Sequence, residues 1–65
     1  MKITVNGQAV ESDAATLADL LARQGIGDSK VATAVNEAFV PAGLRGQTAL
    51  NDGDRVEIVA PRQGG

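Results

Sequence analysis

An α+β domain, with one helix packed on one face of a mixed five-stranded sheet, is the fold class this sequence predicts. Three observations predict it. Two runs of alternating polarity meet at Asn6-Gly7, a leucine-rich segment beginning at Thr16 has helical spacing, and an apolar run from Arg55 has no hairpin partner of its own. At 65 residues the chain has room for one domain, and such a domain buries only about 60% of the surface its unfolded chain exposes. With no Cys there is no disulfide to supplement a small core, so the fold stands on packing alone.

Met1 to Val5 alternates, with Met1, Ile3 and Val5 on one face and Lys2 and Thr4 on the other, as a half-buried strand requires. Asn6-Gly7 favours the positive φ values of a type I′ turn, so Gln8 to Ser12 returns antiparallel with Val10 toward the core. Thr16 is placed to cap a helix that begins at Leu17 and carries Leu20 and Leu21 on its buried stripe. The Asp19 carboxylate can reach back to the Thr16 amide or meet the helix dipole. About two turns later Gly25 stands where a left-handed cap belongs, with Ile26 beyond it able to pack on Leu21. A helix this short is not stable alone and has to be held against the sheet.

Val31 to Val35 alternates again, but Val31, Thr33 and Val35 oppose Ala32 and Ala34, and the pattern leaves open which set faces inward. Asn36-Glu37 reads as a turn into a short strand at Phe39-Val40, ended by Pro41, which cannot donate to a ladder. Ala42 to Gly46 reads as loop and Leu50 as a core anchor. Asp52-Gly53-Asp54 reads as a turn, and Arg55 to Ala60 as the last strand, with Val56 and Ile58 inward and Arg55 and Glu57 outward. The predicted core is therefore Ile3, Val5, Val10, Leu17, Leu20, Leu21, Leu50, Val56 and Ile58. Two hairpins separated by a helix and followed by a lone apolar strand bury everything if that strand enters the sheet centre. That is a β-grasp of strand order 2-1-5-3-4, with an α+β sandwich of another order as the alternative.

The composition excludes several function classes. Without His or Cys, a structural zinc site and the usual Ser-His or Cys-His nucleophilic pairings lack essential members. A net charge of −2 and a single aromatic, Phe39, supply neither a basic stripe nor a stacking platform for nucleic acid. No apolar run approaches the roughly 20 residues of a membrane span, and no signal peptide is visible, so the expectation is a soluble, cytoplasmic protein. Asp52 and Asp54 straddle Gly53 as a tight turn requires and are read as structural, not as a metal or acid-base pair.

The end of the sequence is the informative part. After Pro61 come Arg62, Gln63, Gly64 and Gly65, which divide the chain into a domain of residues 1–61 and a flexible Gly-Gly tail of residues 62–65. Glycine has no Cβ, so backbone can enter a channel that any side chain would block, and the terminal carboxylate becomes available as the reacting group. Arg62 and Gln63 would pass the partner that draws in the tail. Val59, Ala60 and Pro61 lie on or beside the outer face of the last strand, and if Val31 and Val35 also face outward an apolar patch forms at the root of the tail.

With this tail on a β-grasp outline, the chain resembles the ThiS family of ubiquitin-like sulfur carriers of thiamine biosynthesis. The resemblance rests on Ile3-Thr4-Val5-Asn6-Gly7, Thr16-Leu17-Ala18-Asp19-Leu20-Leu21, Val35-Asn36 with Val40-Pro41, Asp52 to Val59, and Gly64-Gly65. It implies a protein that is not an enzyme and binds no cofactor. Its Gly65 carboxylate is adenylated from ATP by a ubiquitin-activating-type enzyme (ThiF-like), then converted to a thiocarboxylate with sulfur derived from cysteine. The sulfur passes to thiazole synthase (ThiG-like), Gly64, Gly65, Gln63 and Arg62 threading into partner active sites from a free monomer. Glu37, where many relatives carry Gly, and Arg45, near a common aromatic position, depart from the family pattern. Two alternatives stay open: a carrier of the molybdopterin synthase small-subunit type, and a ubiquitin-like modifier or β-grasp interaction module without sulfur transfer.

Overall fold

The computed structural model describes residues 1–27 and 30–60 of the chain. Strands β1 (Lys2–Val5) and β2 (Gln8–Glu11) form the first hairpin, in register with Ile3 opposite Val10 and Val5 opposite Gln8. Its turn has Asn6 at φ 52° and Gly7 at φ 82°, the two positive values of a type I′ turn, whose twist matches that of the strands it joins.

Helix α1 (Leu17–Arg23) starts where Thr16 Oγ1 accepts the Asp19 N–H at 3.1 Å. The Asp19 carboxylate reaches back to the Ala15 amide at 3.2 Å, one residue earlier than the sequence suggested. That amide precedes the cap, and the bond ties the incoming chain to the first turn of the helix. At the other end, Gly25 lies at φ 76°, its N–H bonded to the Ala22 carbonyl at 3.1 Å and the Ile26 N–H to the Leu21 carbonyl at 3.0 Å. Those two bonds are a Schellman motif, and Ile26 beyond it is half-buried.

The second hairpin pairs β3 (Ala32–Val35) with β4 (Ala38–Val40). Here Asn36 and Glu37 take φ 52° and 71°, a turn of the same hand with no glycine in it. Residues Ala42–Gln47 form a 3-10 helix where the sequence predicted loop. Pro41 starts it with a preset φ of −65°, and the Leu44 N–H closes onto the Pro41 carbonyl at 2.9 Å.

Strand β5 (Arg55–Val59) fills the centre of the sheet, parallel to β1 and antiparallel to β3, giving the order β2-β1-β5-β3-β4. The β-grasp expectation is met in every pairing. Asp52 and Asp54 serve the turn before β5: Asp52 Oδ1 accepts the Lys2 N–H at 2.7 Å and Asp54 Oδ2 the Asn51 N–H at 2.8 Å, while Gly53 sits at φ 89°.

The core lies between α1 and the inner face of the sheet. Ile3, Val5, Leu17, Leu20, Leu21, Leu50 and Val56 are buried as predicted, joined by Ala14 and Val40. Val10 and Ile58 were expected in the core and are half-buried, packed against it from outside. The open question at β3 is answered by Thr33, which is 1% exposed, with Val35 packed against the core on the same side; Ala32 and Ala34 therefore face outward.

A buried polar group accompanies Thr33. Arg45 of the 3-10 helix is 8% exposed; its Nε donates to Thr33 Oγ1 at 3.0 Å and its Nη2 to the Val31 carbonyl. Thr33 Oγ1 donates in turn to the Val40 carbonyl at 2.8 Å. No carboxylate among the described residues pairs with Arg45, and one backbone carbonyl and one hydroxyl accept its hydrogen bonds. The departure at this position thus reaches the core behind the second hairpin.

Candidate functional site

The residues that the sequence nominated, Arg62, Gln63, Gly64 and Gly65, lie outside the described residues, as does Pro61. What the structure describes is the platform from which they leave. β5 is the central strand, held on both edges, and Val59 still pairs with Ala32 of β3 immediately before the chain passes Ala60.

The two edges of β5 are held differently. Along β3 the pairing is main chain from Val56 to Val59. Along β1 the main-chain bonds include Thr4 N–H to the Asp54 carbonyl at 3.0 Å and Asn6 N–H to the Val56 carbonyl at 2.9 Å. The Asn6 side chain takes over beyond them, its Oδ1 accepting the Ile58 N–H at 2.8 Å and its Nδ2 donating to the Ile58 carbonyl at 3.1 Å. At the opposite end of β5, Asn36 does a similar service, its Oδ1 accepting the Arg55 N–H at 3.0 Å and its Nδ2 donating to Asp54 Oδ1 at 2.9 Å. Both asparagines were read from the sequence as turn residues alone.

On the outer face, Ala32, Ala34, Phe39, Val59, Glu57 and Asn6 line a shallow groove of about 260 Å³. Phe39 stands opposite Ala34 and is 70% exposed, and Val59 is 61% exposed. The condition set for an apolar patch at the tail root is not met, and a groove of different membership lies there instead. Val31 and Val35 contribute nothing outward because their parity is that of buried Thr33, and the small Ala32 and Ala34 leave the hollow that Phe39 and Val59 flank. Phe39, the single aromatic on a three-residue strand, was the signal available for it.

Charge elsewhere is arranged for the fold. Arg23 pairs with Asp13 and with Asp19, at 3.1 Å in the latter case. The Arg23 hydrogen bond, followed by that from the Ala15 amide, holds the Asp19 carboxyl below the ordinary carboxylate range. Among the described residues no cluster of acidic side chains could hold a metal ion, and no helix is long and apolar enough to cross a membrane.

A β-grasp sheet with a central last strand, followed in the sequence by Gly64-Gly65, defines a ubiquitin-like domain. The chain belongs to the ThiS family, whose family model matches residues 3–65. It superposes on the crystal structure of the thiamine biosynthesis protein ThiS from Geobacter metallireducens with a TM-score of 0.84 at 28% identity, covering 100% of both chains. The solution structure of a thiamine biosynthesis protein from the same organism gives 0.79 at 28% identity, covering 100% of this chain and 88% of that one. A thiazole synthase of Paramagnetospirillum magneticum is 41% identical over 66 positions, spanning 100% of this chain. The chain matches 20% of that curated relative's length. Proteins of the ThiS family are small sulfur carriers of thiamine biosynthesis, and the ubiquitin-like fold is theirs.

Proposed function

We propose that this chain carries sulfur as a thiocarboxylate on Gly65 and delivers it to the thiazole ring of thiamine, with no catalytic activity of its own. The observation that carries the reading is the family match, which runs from the first strand through residue 65 and so takes in the Gly64-Gly65 pair together with the domain. A carboxylate is a poor electrophile. Attack of its oxygen on the α-phosphorus of ATP, with loss of pyrophosphate, gives an acyl adenylate whose AMP is a good leaving group. Sulfur derived from cysteine, arriving at the sulfide level, then displaces AMP and leaves the thiocarboxylate.

In this reading ATP belongs to the adenylating partner, an enzyme of the ubiquitin-activating type, and the chain itself holds no cofactor. Arg62 and Gln63 lead the two glycines through the partner's channel. The acceptor is thiazole synthase; a relative of that name that matches the whole of this chain within a longer one supports the pairing.

The intact mass of the protein from its native cell tests the proposal: a species ending at Gly65 and heavier by the exchange of one oxygen for sulfur is expected. Gly65→Val is expected to fold as the parent does and to form neither adenylate nor thiocarboxylate, because a side chain cannot pass the slot. Transfer of sulfur only into molybdopterin, or conjugation to lysines without any thiocarboxylate, would replace the thiamine assignment.

A further inference from the structure

We infer that Asn6 is a positioning residue for the tail: it pins the β1-side edge of β5 as far as Ile58 and so, together with the β3 pairing at Val59, fixes the point at which the chain leaves the sheet. The inference rests on the carrier reading above. Its ground is the geometry of the β1–β5 edge. In a parallel pair, alternate residues of one strand bond to the neighbour on both sides, donating through N–H and accepting through C=O. Thr4 and Asn6 donate in that way to the Asp54 and Val56 carbonyls. The next bond in the series would have the Asn6 main-chain carbonyl accept from the Ile58 N–H. Asn6 lies at φ 52°, outside the strand conformation that continues this series, and the Ile58 N–H goes to its side-chain Oδ1 instead.

The side chain supplies what the main chain has withdrawn. Its amide has one acceptor and one donor in the arrangement of a peptide group, and it meets both polar groups of Ile58, at 2.8 and 3.1 Å. Without it, the N–H and carbonyl of Ile58 would find nothing on this edge, since β1 ends at Val5. The last strand would then be held past Val56 by β3 alone.

The consequence is one of reach. From Ala60 to Gly65 are five further residues, which span about 16 Å when extended. A partner that reads the body of the domain and acts on its end needs that span to begin at a constant place. If β5 frays, the origin shifts, and the partner has to order more chain on binding.

Asn36 provides the matched control, since it clasps the other end of the same strand from a turn of the same geometry. Asn6→Gly and Asn36→Gly both keep a residue at ease with positive φ and delete one clasp. Amide exchange is measured for Ile58 to Ala60 in each, and adenylation is followed by ATP–pyrophosphate exchange with the adenylating enzyme of the same cell. Asn6→Gly is expected to speed exchange at Ile58 about tenfold and to raise KM for the domain about fivefold or more, with kcat within twofold. Asn36→Gly should leave Ile58 exchange and KM as in the parent. Asn6→Asp, which keeps the acceptor and loses the donor, should fall between. Unchanged exchange at Ile58 in Asn6→Gly overturns the inference, as does an equal KM shift in the two glycine variants, which would reduce the effect to stability. If the parent itself is not adenylated, the carrier reading fails, and Ile58 exchange alone still decides whether Asn6 sets the exit.

Discussion

On the inner face of the sheet Ile3, Val5 and Val56 are 9% exposed or less, whereas on the outer face Phe39 and Val59 leave 70% and 61% of their surface in water. Both faces are drawn from the same strands, with one side chain up and the next down. The inner set meets α1 and the segment around Leu50 and supplies the transfer free energy that a small domain needs. The outer set only flanks a shallow groove and stays largely in water. Stability and accessibility are thus separated by parity alone, and the comparison predicts that equal chemical changes on the two faces have unequal effects.

The largest effect belongs to the inner side. Leu21, 1% exposed, should cost about 2 to 5 kcal/mol when cut to Ala, a large share of what so small a domain possesses. Urea denaturation measures it, and a variant as stable as its parent would remove the asymmetry altogether. Next comes the polar group on the same side. Arg45→Met keeps most of the volume but strands the Val31 carbonyl, so a loss of about 1 to 3 kcal/mol is expected. Melting of this variant beside Thr33→Val would show whether the network acts as one unit, through the non-additivity of the double change.

A smaller change of opposite sign concerns the second turn. Glu37 holds φ 71° without being Gly, and its ion pair with Arg55 at 3.5 Å is exposed and worth little. Glu37→Gly should therefore stabilise the domain by about 0.5 to 1 kcal/mol, seen as a rise of about 4 °C in Tm. The smallest effect is on the outer face: Phe39→Ala should shift stability by less than about 0.5 kcal/mol, although it removes a whole phenyl ring. A loss comparable to that of Leu21→Ala would mean that the groove is part of the core and the comparison is false.

Legibility in the sequence followed the range of the interactions. Thr16, Gly25 and Asn6-Gly7 act within a few residues of themselves, and the structure places cap, Schellman motif and type I′ turn at those positions. The strand order was also readable, because a lone apolar strand after two hairpins has one place where both of its edges are paired, the centre of the sheet. The 3-10 helix was not readable: Ala42 to Gln47 has two glycines and no apolar period, and its form depends on Arg45 being drawn toward Thr33, twelve residues away. Nor was the clasp of Asn6 on Ile58, which spans 52 residues.

By itself, then, the sequence determined the elements, their turns, the order of the strands and the glycine pair that follows the last of them, since each is written in local propensity or in a period of two or 3.6 residues. The tertiary structure decided the sign of the β3 alternation, the burial of Arg45 and the shape of the outer groove. An alternation of Val and Thr with Ala has a period but no direction, because Ala is small enough for either side. The direction is settled when Thr33 finds the guanidinium and the Val40 carbonyl behind the sheet, and Ala32 and Ala34 are left to the open face.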